Sequence, residues 1–250
     1  VLLEYLDEKI LSLKDEAIKK EKVGVFLGGY SFERHISVES GRNIFEKLSS
    51  SDKYEPIPLF LTGSPGKIEL YQLPINLLLK DNADDIRDKI YHWAPNALLE
   101  QIKAECIEIT LKYASAEMVF KPVRVALEGL SDRIDFGFIA LHGRPGEDGH
   151  LQSLFEKIEL PYNGSGVQSS MVTIDKHQTL QTLKKNGFTV TDQLIMEKAD
   201  YTSDEAAFFK KIEQFFSFPL VAKPIDDGCS SAVKVIRNHR ELEAYVRLIF

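Results

Sequence analysis

The run KVGVFLGG, Lys22 to Gly29, narrows the fold more than any other stretch: apolar and β-branched residues follow one another without polar alternation and end in two glycines. A row of that kind suits a strand covered on both faces, as in a sheet wrapped by helices, and the glycines permit a tight turn at its exit. The same grammar recurs in RIDFGFIALHG, Arg133 to Gly143, and less strongly in YEPIPLFLT, FTVTDQLIME and FPLVAKP. Between these runs the period changes. Ile36, Ile44, Phe45 and Leu48 lie near helical spacing, and Leu151, Leu154, Phe155 and Ile158 fall at i, i+3, i+4 and i+7. Further helices are predicted from Met171 to Asn186, with Gly187 as a left-handed C-cap, and from Thr202 to Phe216. Strands alternating with helices predict an α/β chain whose first domain is Rossmann-like with a largely parallel sheet.

Composition removes several classes of function. The 250 residues are 44% hydrophobic and 28% charged, the balance of an ordinary globular protein. A net charge of -7 without long Lys or Arg runs lacks the electrostatic footprint of a nucleic-acid binder. Two cysteines, Cys106 and Cys229, lying far apart without metal-type spacing argue against a disulfide framework and a zinc site, so a reducing cytoplasm is the simplest compartment. The opening segment, 1–21, carries charge throughout and reads as an amphipathic leading helix with Leu2, Leu3, Leu6, Ile10 and Leu13 on one face; it is neither a signal peptide nor a membrane span. The last residues, ELEAYVRLIF, stop within a helical pattern. The expectation is a piece cut from a longer chain. Gly63 to Leu130, with its prolines, the acidic KDNADDIRDK and a helical piece from Ala97 to Leu111, reads as an elaboration on a first domain spanning 22–168; 169–250 then opens a second.

Three polar, glycine-bearing turns follow strand candidates: LGGYSFER, LHGRPGEDG and NGSGVQSS. Ligands of open α/β sheets bind outside the carboxyl ends of the strands, where helix N-termini present unpaired N–H groups, so the three are expected to line one crevice. In the first, Gly28 and Gly29 let backbone approach an anion, and Glu33 can receive an ammonium group; the alternative is a plain strand-to-helix turn with Ser31 as N-cap. In the second, His142 can donate to a phosphate or an oxyanion and Arg144 adds a fixed charge, with Glu147 and Asp148 bracing the turn. Lys223 leaves an apolar run, where an ammonium calls for an anionic partner, although a snorkelling lysine at a strand end is the plainer alternative. The small, hydroxyl-rich DDGCSSA follows it and is able to fold over phosphates, whereas Lys176 alone is an ordinary helix lysine.

Taken in order, VFLGGYSFERHIS, IALHGRPGEDGHLQ, LPYNGSGVQSSMVTIDKHQT and FPLVAKPIDDGCSSAVKV resemble the D-alanine–D-alanine ligase family of ATP-grasp enzymes. The resemblance implies that 169–250 begins an ATP-grasp α+β domain. It also implies a reaction in which ATP phosphorylates the carboxylate of one D-alanine, and the amine of a second then displaces phosphate, for peptidoglycan precursors. By the same resemblance Glu33 holds the first ammonium group, with Gly28, Gly29 and Ser31 around it, and His142 and Arg144 stand beside the reacting carboxyl. Lys176, Lys223 and the loop Gly228, Cys229, Ser230 and Ser231 meet the ATP phosphates. Phosphoryl transfer asks for such positioned cations and N–H donors. The family loop usually reads Gly-Ser-Ser-Val-Gly; here Cys229 replaces the first serine and Ala232 stands at the last glycine. A thiol is the weaker donor, which bears on substrate identity; a reactive Cys229 is the alternative, disfavoured by Asp226 and Asp227. The family binds Mg²⁺ through residues that follow those matched here, so the metal ligands are expected beyond Phe250 and the fragment alone is expected to be inactive. The expected partners are small molecules, ATP and D-alanine, with a homodimer possible and neither nucleic acid nor membrane. Two rivals stay open: a non-catalytic ligand-binding or regulatory module on the same scaffold, and another ATP-grasp carboxylate–amine ligase.

Overall fold

The computed structural model of the chain describes residues 5, 6, 8, 9, 20–109, 119–226 and 232–250. It divides into two compact units: Val1–Gly146 with His150–Ser165, and Glu147–Gly149 with Gly166–Phe250. The first unit thus ends at Ser165, and Glu147–Gly149 of the glycine-rich turn go with the second.

In the first unit β1 (Glu21–Gly28) lies between β2 (Tyr54–Ser64) and β5 (Phe136–Ile139) and runs parallel to both. Strand β3 (Lys67–Gln72) returns antiparallel along β2, and β4 (Val123–Val125) pairs antiparallel with β3, giving the order β4-β3-β2-β1-β5. Only β3 is reversed, which agrees with the largely parallel sheet expected. The unbroken apolar row of β1 is explained by burial on both faces. Phe26 packs with Leu59, Leu61 and Phe155 on one side, while Val25 and Leu27 pack with Val38, Phe45 and Phe60 on the other. Helices α1 (Arg34–Ser49), α2 (Ile75–Lys80) and α3 (Ala83–Tyr91) contribute to the second layer, and α5 (His150–Lys157) to the first; α4 (Ala97–Glu105) buries no residue.

The stretch from Gly63 to Leu130 is more than an elaboration. It supplies β3 and β4, and its Leu70, Leu73, Leu78 and Ile86 are buried core residues. Ser64 pairs with Lys67 across a two-residue turn, Pro65-Gly66, so the chain joins the sheet by the shortest local route. Arg34, the first residue of α1, ties that helix to this stretch: its Nε and Nη2 donate to the two carboxylate oxygens of Asp84 on α3 at 2.8 and 2.9 Å. His35 Nε2 and Arg87 Nη2 stand 3.2 and 3.1 Å from the same carboxylate. The hydrogen bonds from Arg34, with its charge and those of Arg87 and His35, hold the Asp84 carboxyl at about 2, well below its usual range.

In the second unit β6 (Leu220–Ala222) pairs antiparallel with β7 (Lys234–Ile236). The helix expected from Met171 to Asn186 is two helices, α6 (Val167–Ile174) and α7 (Lys176–Lys185), because Asp175 leaves helical geometry and its carboxylate accepts the Gln178 N–H at 2.8 Å, capping α7. Gly187 is left-handed, φ 84°, and closes α7 with bonds from Gly187 N–H to the Lys184 carbonyl and from Phe188 N–H to the Leu183 carbonyl, both 3.1 Å. The expected Thr202–Phe216 helix is likewise split, into α8 (Lys198–Ser203) and α9 (Glu205–Phe215), with Asp204 capping the second at Ala207. Residues 188–197 form no strand, contrary to the expectation for FTVTDQLIME. Leu194 and Met196 do pack toward the core of Phe208, Phe209, Ile212 and α10 (His239–Ile249), but among the described residues no backbone pairs with this segment in a ladder. Most of the predicted leading helix lies outside the described residues. Among those described, no helix is long and apolar enough to cross a membrane.

Two outcomes are expected. Leu70 is 1% exposed on β3, so Leu70→Ala loses about 2–5 kcal/mol in urea denaturation, as a core position does, against the roughly 0.5 kcal/mol typical of a surface substitution. Asp84, lowered in the folded chain to about 2 from about 3.9 when unfolded, adds stability that is fully present above about pH 4 and is lost as pH falls through about 2. Its side chain is 39% exposed, so screening limits the gap between wild type and Asp84→Asn to about 1 kcal/mol or less. Denaturation of both proteins across this range should show a gap that is constant above about pH 4 and narrows below it.

Candidate functional site

Strands β1 and β5 are parallel neighbours, so the turns that leave them emerge on one edge of the sheet. Gly28 leaves β1 at φ 90°, and a Cβ there would lie 2.5 Å from the Phe60 ring and 2.8 Å from the Leu61 carbonyl; glycine alone fits. The next residue, Gly29, donates its N–H to that same carbonyl at 2.8 Å. The chain then reaches Ser31, whose hydroxyl donates to the His142 carbonyl at 2.8 Å and accepts the Glu33 N–H at 3.2 Å. Ser31 is thus not the N-cap of α1, a place taken by Glu33. It joins the turn after β1 to the turn after β5.

The two turns interlock at Gly143. With φ at 68°, this residue approaches so closely that a Cβ would stand 2.8 Å from Glu33 Oε2 and 2.9 Å from Ser31 Oγ. The Glu33 carboxylate therefore lies against the backbone that follows His142. The imidazole of His142 is placed from α1, with its Nε2 2.8 Å from Ser40 Oγ, and Ser37 Oγ donates to the Ala140 carbonyl at 3.2 Å. Behind the turn, buried Gln152 donates to the Gly146 carbonyl at 2.6 Å, and Asn163 Oδ1 accepts the Ile139 N–H at 2.6 Å. Arg144 follows in the same turn and is exposed. The structure thus brings together Gly28, Gly29, Ser31, Glu33 and His142. The third turn, Gly164 to Gly166, carries the chain from the first unit into the second.

Ser37, Ser40, Gln152 and Asn163 were not among the residues singled out by sequence. A signal exists for one of them: Gln152, 4% exposed, sits between Leu151 and Phe155 on the apolar face of α5, where a polar group needs a reason to be. The serines do not interrupt the helical pattern strongly enough to be noticed without the strand that they face.

The second unit carries the two lysines. Lys176 opens α7, and both its N–H, at 3.0 Å, and its Nζ, at 3.5 Å, point to the Ile225 carbonyl. Lys223 leaves β6 directly, is exposed, and has no ion-pair partner among the described residues. Both lysines thus emerge at the exit of one strand. Gly228, Cys229, Ser230 and Ser231 lie outside the described residues. Ala232, just after them, is left-handed at φ 53°, and its carbonyl accepts from the hydroxyl of Tyr245 at 2.8 Å. Burial raises the Tyr245 phenol above its ordinary value, so it stays protonated and donates. Among the described residues no group of three or more His, Cys, Asp or Glu side chains converges as metal ligands would.

The chain also resembles known proteins. Residues 22–165 match the model of the D-ala D-ala ligase N-terminus and residues 182–250 that of the D-ala D-ala ligase C-terminus. The chain is 28% identical over 233 residues to a D-alanine–D-alanine ligase of Chlorobaculum parvum, covering 89% of this chain and 57% of that protein. It is 30% identical over 233 residues to one of Acetivibrio thermocellus, covering 90% and 57%. Among solved structures, the D-alanine–D-alanine ligase of Helicobacter pylori superposes with a TM-score of 0.61 at 20% identity, over 91% of this chain and 59% of that one. The VanG D-Ala:D-Ser ligase of Enterococcus faecalis gives 0.59 at 24%, over 92% and 59%. These likenesses establish the ATP-grasp ligase fold. The chain spans less than two-thirds of the length of these relatives. With the N-terminal model alone matched over more than half of its residues, the chain belongs to the D-alanine–D-alanine ligase family.

Proposed function

We propose that the protein to which these residues belong joins D-alanine to D-alanine, or to a related D-amino or hydroxy acid, at the expense of ATP, in the synthesis of peptidoglycan precursors in the cytoplasm. The observation that carries the reading is the Glu33 carboxylate lodged against Gly143, beside His142, at the shared edge of β1 and β5. A carboxylate held in that way is a fixed acceptor for an α-ammonium group, and charge-assisted hydrogen bonds of this kind are short and directional. His142, whose ring is held by Ser40, hydrogen-bonds the carboxylate of the same amino acid on this reading. Arg144 supplies positive charge as that carboxylate is phosphorylated.

Phosphate binding is the work of the second unit. Lys176 and Lys223 meet the ATP phosphates as point charges, and Gly228, Cys229, Ser230 and Ser231 cover them with N–H and side-chain donors. In the balanced reaction a carboxylate oxygen of the first D-alanine takes the γ-phosphoryl group and ADP leaves. The amine of the acceptor then attacks the acyl carbon, losing a proton as inorganic phosphate departs. Mg²⁺ would have to be held by residues other than those described, and the 250 residues alone are inactive on this reading.

Calorimetric titration of D-alanine into the 250-residue chain tests it, with L-alanine as control. Wild type binds the D isomer, and Glu33→Gln weakens binding about tenfold or more, as expected for loss of a charged hydrogen bond. Equal binding by wild type and Glu33→Gln would remove Glu33 from the site, and no binding by wild type would count against the D-alanine reading. Coupled ADP release should show no D-alanine- or D-serine-dependent turnover by this chain, and turnover would refute the inactive-fragment reading.

A further inference from the structure

Arg34 follows Glu33 in the chain, and its guanidinium already lies against the turn that carries Glu33, with Nη1 donating to the Ser31 carbonyl at 3.2 Å. A cation so placed is a natural partner for the Glu33 carboxylate and would compete with any ammonium ligand for it. It is turned away instead. Both of its remaining donors of consequence, Nε and Nη2, are engaged by the two oxygens of Asp84, a fork-on-fork geometry that fixes direction as well as charge. Asp84 also gathers the neighbouring His35 and Arg87.

We propose that Asp84 is a positioning residue for the Glu33 site: by holding Arg34 it keeps that guanidinium off the Glu33 carboxylate and braces the Ser31 turn through the Ser31 carbonyl. Two consequences follow from the geometry. The Ser31 hydroxyl bonds both the His142 carbonyl and the Glu33 N–H, so movement of the Ser31 carbonyl disturbs both functional turns together. Asp84 lies in the first turn of α3, within the 63–130 stretch, so a segment without any recognisable motif contributes to the amino-acid site. None of this requires Asp84 to touch the ligand. Its presence in a helix N-terminal turn already suits a carboxylate, which leaves the interaction with Arg34 as the part to be tested.

The role rests on the D-alanine reading only for the identity of the ligand, so one readout is chosen that needs no ligand. Asp84→Asn keeps the size and one acceptor but not the paired charge; Asp84→Glu restores the charge; Arg87→Ala removes a neighbour of Asp84 without touching Arg34. Amide hydrogen exchange in the 250-residue chain should be faster at Glu33 in Asp84→Asn, by about tenfold as for loss of a charged hydrogen bond, with exchange inside β1 and the melting temperature close to wild type. Asp84→Glu should recover much of the protection, and Arg87→Ala should match wild type. Titration of D-alanine should weaken in the same order. Unchanged Glu33 exchange in Asp84→Asn overturns the proposal, as does exchange that rises uniformly with a collapse in melting temperature, which would make Asp84 a purely structural brace. Absence of D-alanine binding by wild type would count against the ligase reading and leave Glu33 exchange to decide the role of Asp84.

Discussion

The parallel pairing of β1 with both β2 and β5 carries the rest of the first unit. It buries both faces of one strand, so Val25, Phe26 and Leu27 must all be apolar, and it sends two turns out along one edge. Those turns share a boundary only a few ångströms wide. The space is met by glycine on each side, Gly28 against Phe60 and Leu61, Gly143 against Ser31 and Glu33. A side chain at either position would have to displace sheet core or carboxylate. The polar residues that remain are then placed by close backbone approach together with side-chain bonds such as Ser40 to His142, which is the precision that ligand recognition at a strand edge demands.

How far the sequence discloses this depends on the range of the interactions involved. Strand β1 and helix α5 are legible because burial on fixed faces writes a pattern into consecutive residues: Leu151 and Phe155 repeat at helical spacing, and KVGVFLG does not alternate. The residue-by-residue carry-over of Glu33 and His142 depends on four motifs in order, and the structure does bring those two together. Strand β3 escaped because KIELYQ alternates only weakly and is bound to the sheet by a hairpin whose partner, β2, already read as a complete strand. FTVTDQLIME misled for the converse reason: alternation reports which side chains face a core, and Leu194 and Met196 do, but a strand also needs a backbone partner.

Charge is organised locally in a chain that is acidic as a whole. The net -7 says nothing against anionic ligands when Lys176 and Lys223 emerge at one strand exit and Lys223 has no described carboxylate beside it. In the first unit the opposite economy holds, since Asp84 collects Arg34, His35 and Arg87. The cations that follow Glu33 in the chain, Arg34 and His35, are thereby paired with a residue from another helix. Electrostatic specificity of this sort arises from which charges are already satisfied, and only a three-dimensional arrangement reveals that.

Ala232 makes the same point about backbone. A left-handed alanine is disfavoured by about 1–2 kcal/mol relative to its usual conformations, and glycine, the residue the family pattern has there, is free of that cost. The conformation nevertheless persists at φ 53°, with the Ala232 carbonyl bonded to the hydroxyl of Tyr245, a residue 7% exposed in the core of the second unit. The geometry at the end of the loop is therefore imposed by packing from α10 and not by the local preference of the residue that adopts it. A substitution from glycine to alanine at this place costs stability while the Tyr245 hydroxyl that holds the Ala232 carbonyl stays in place.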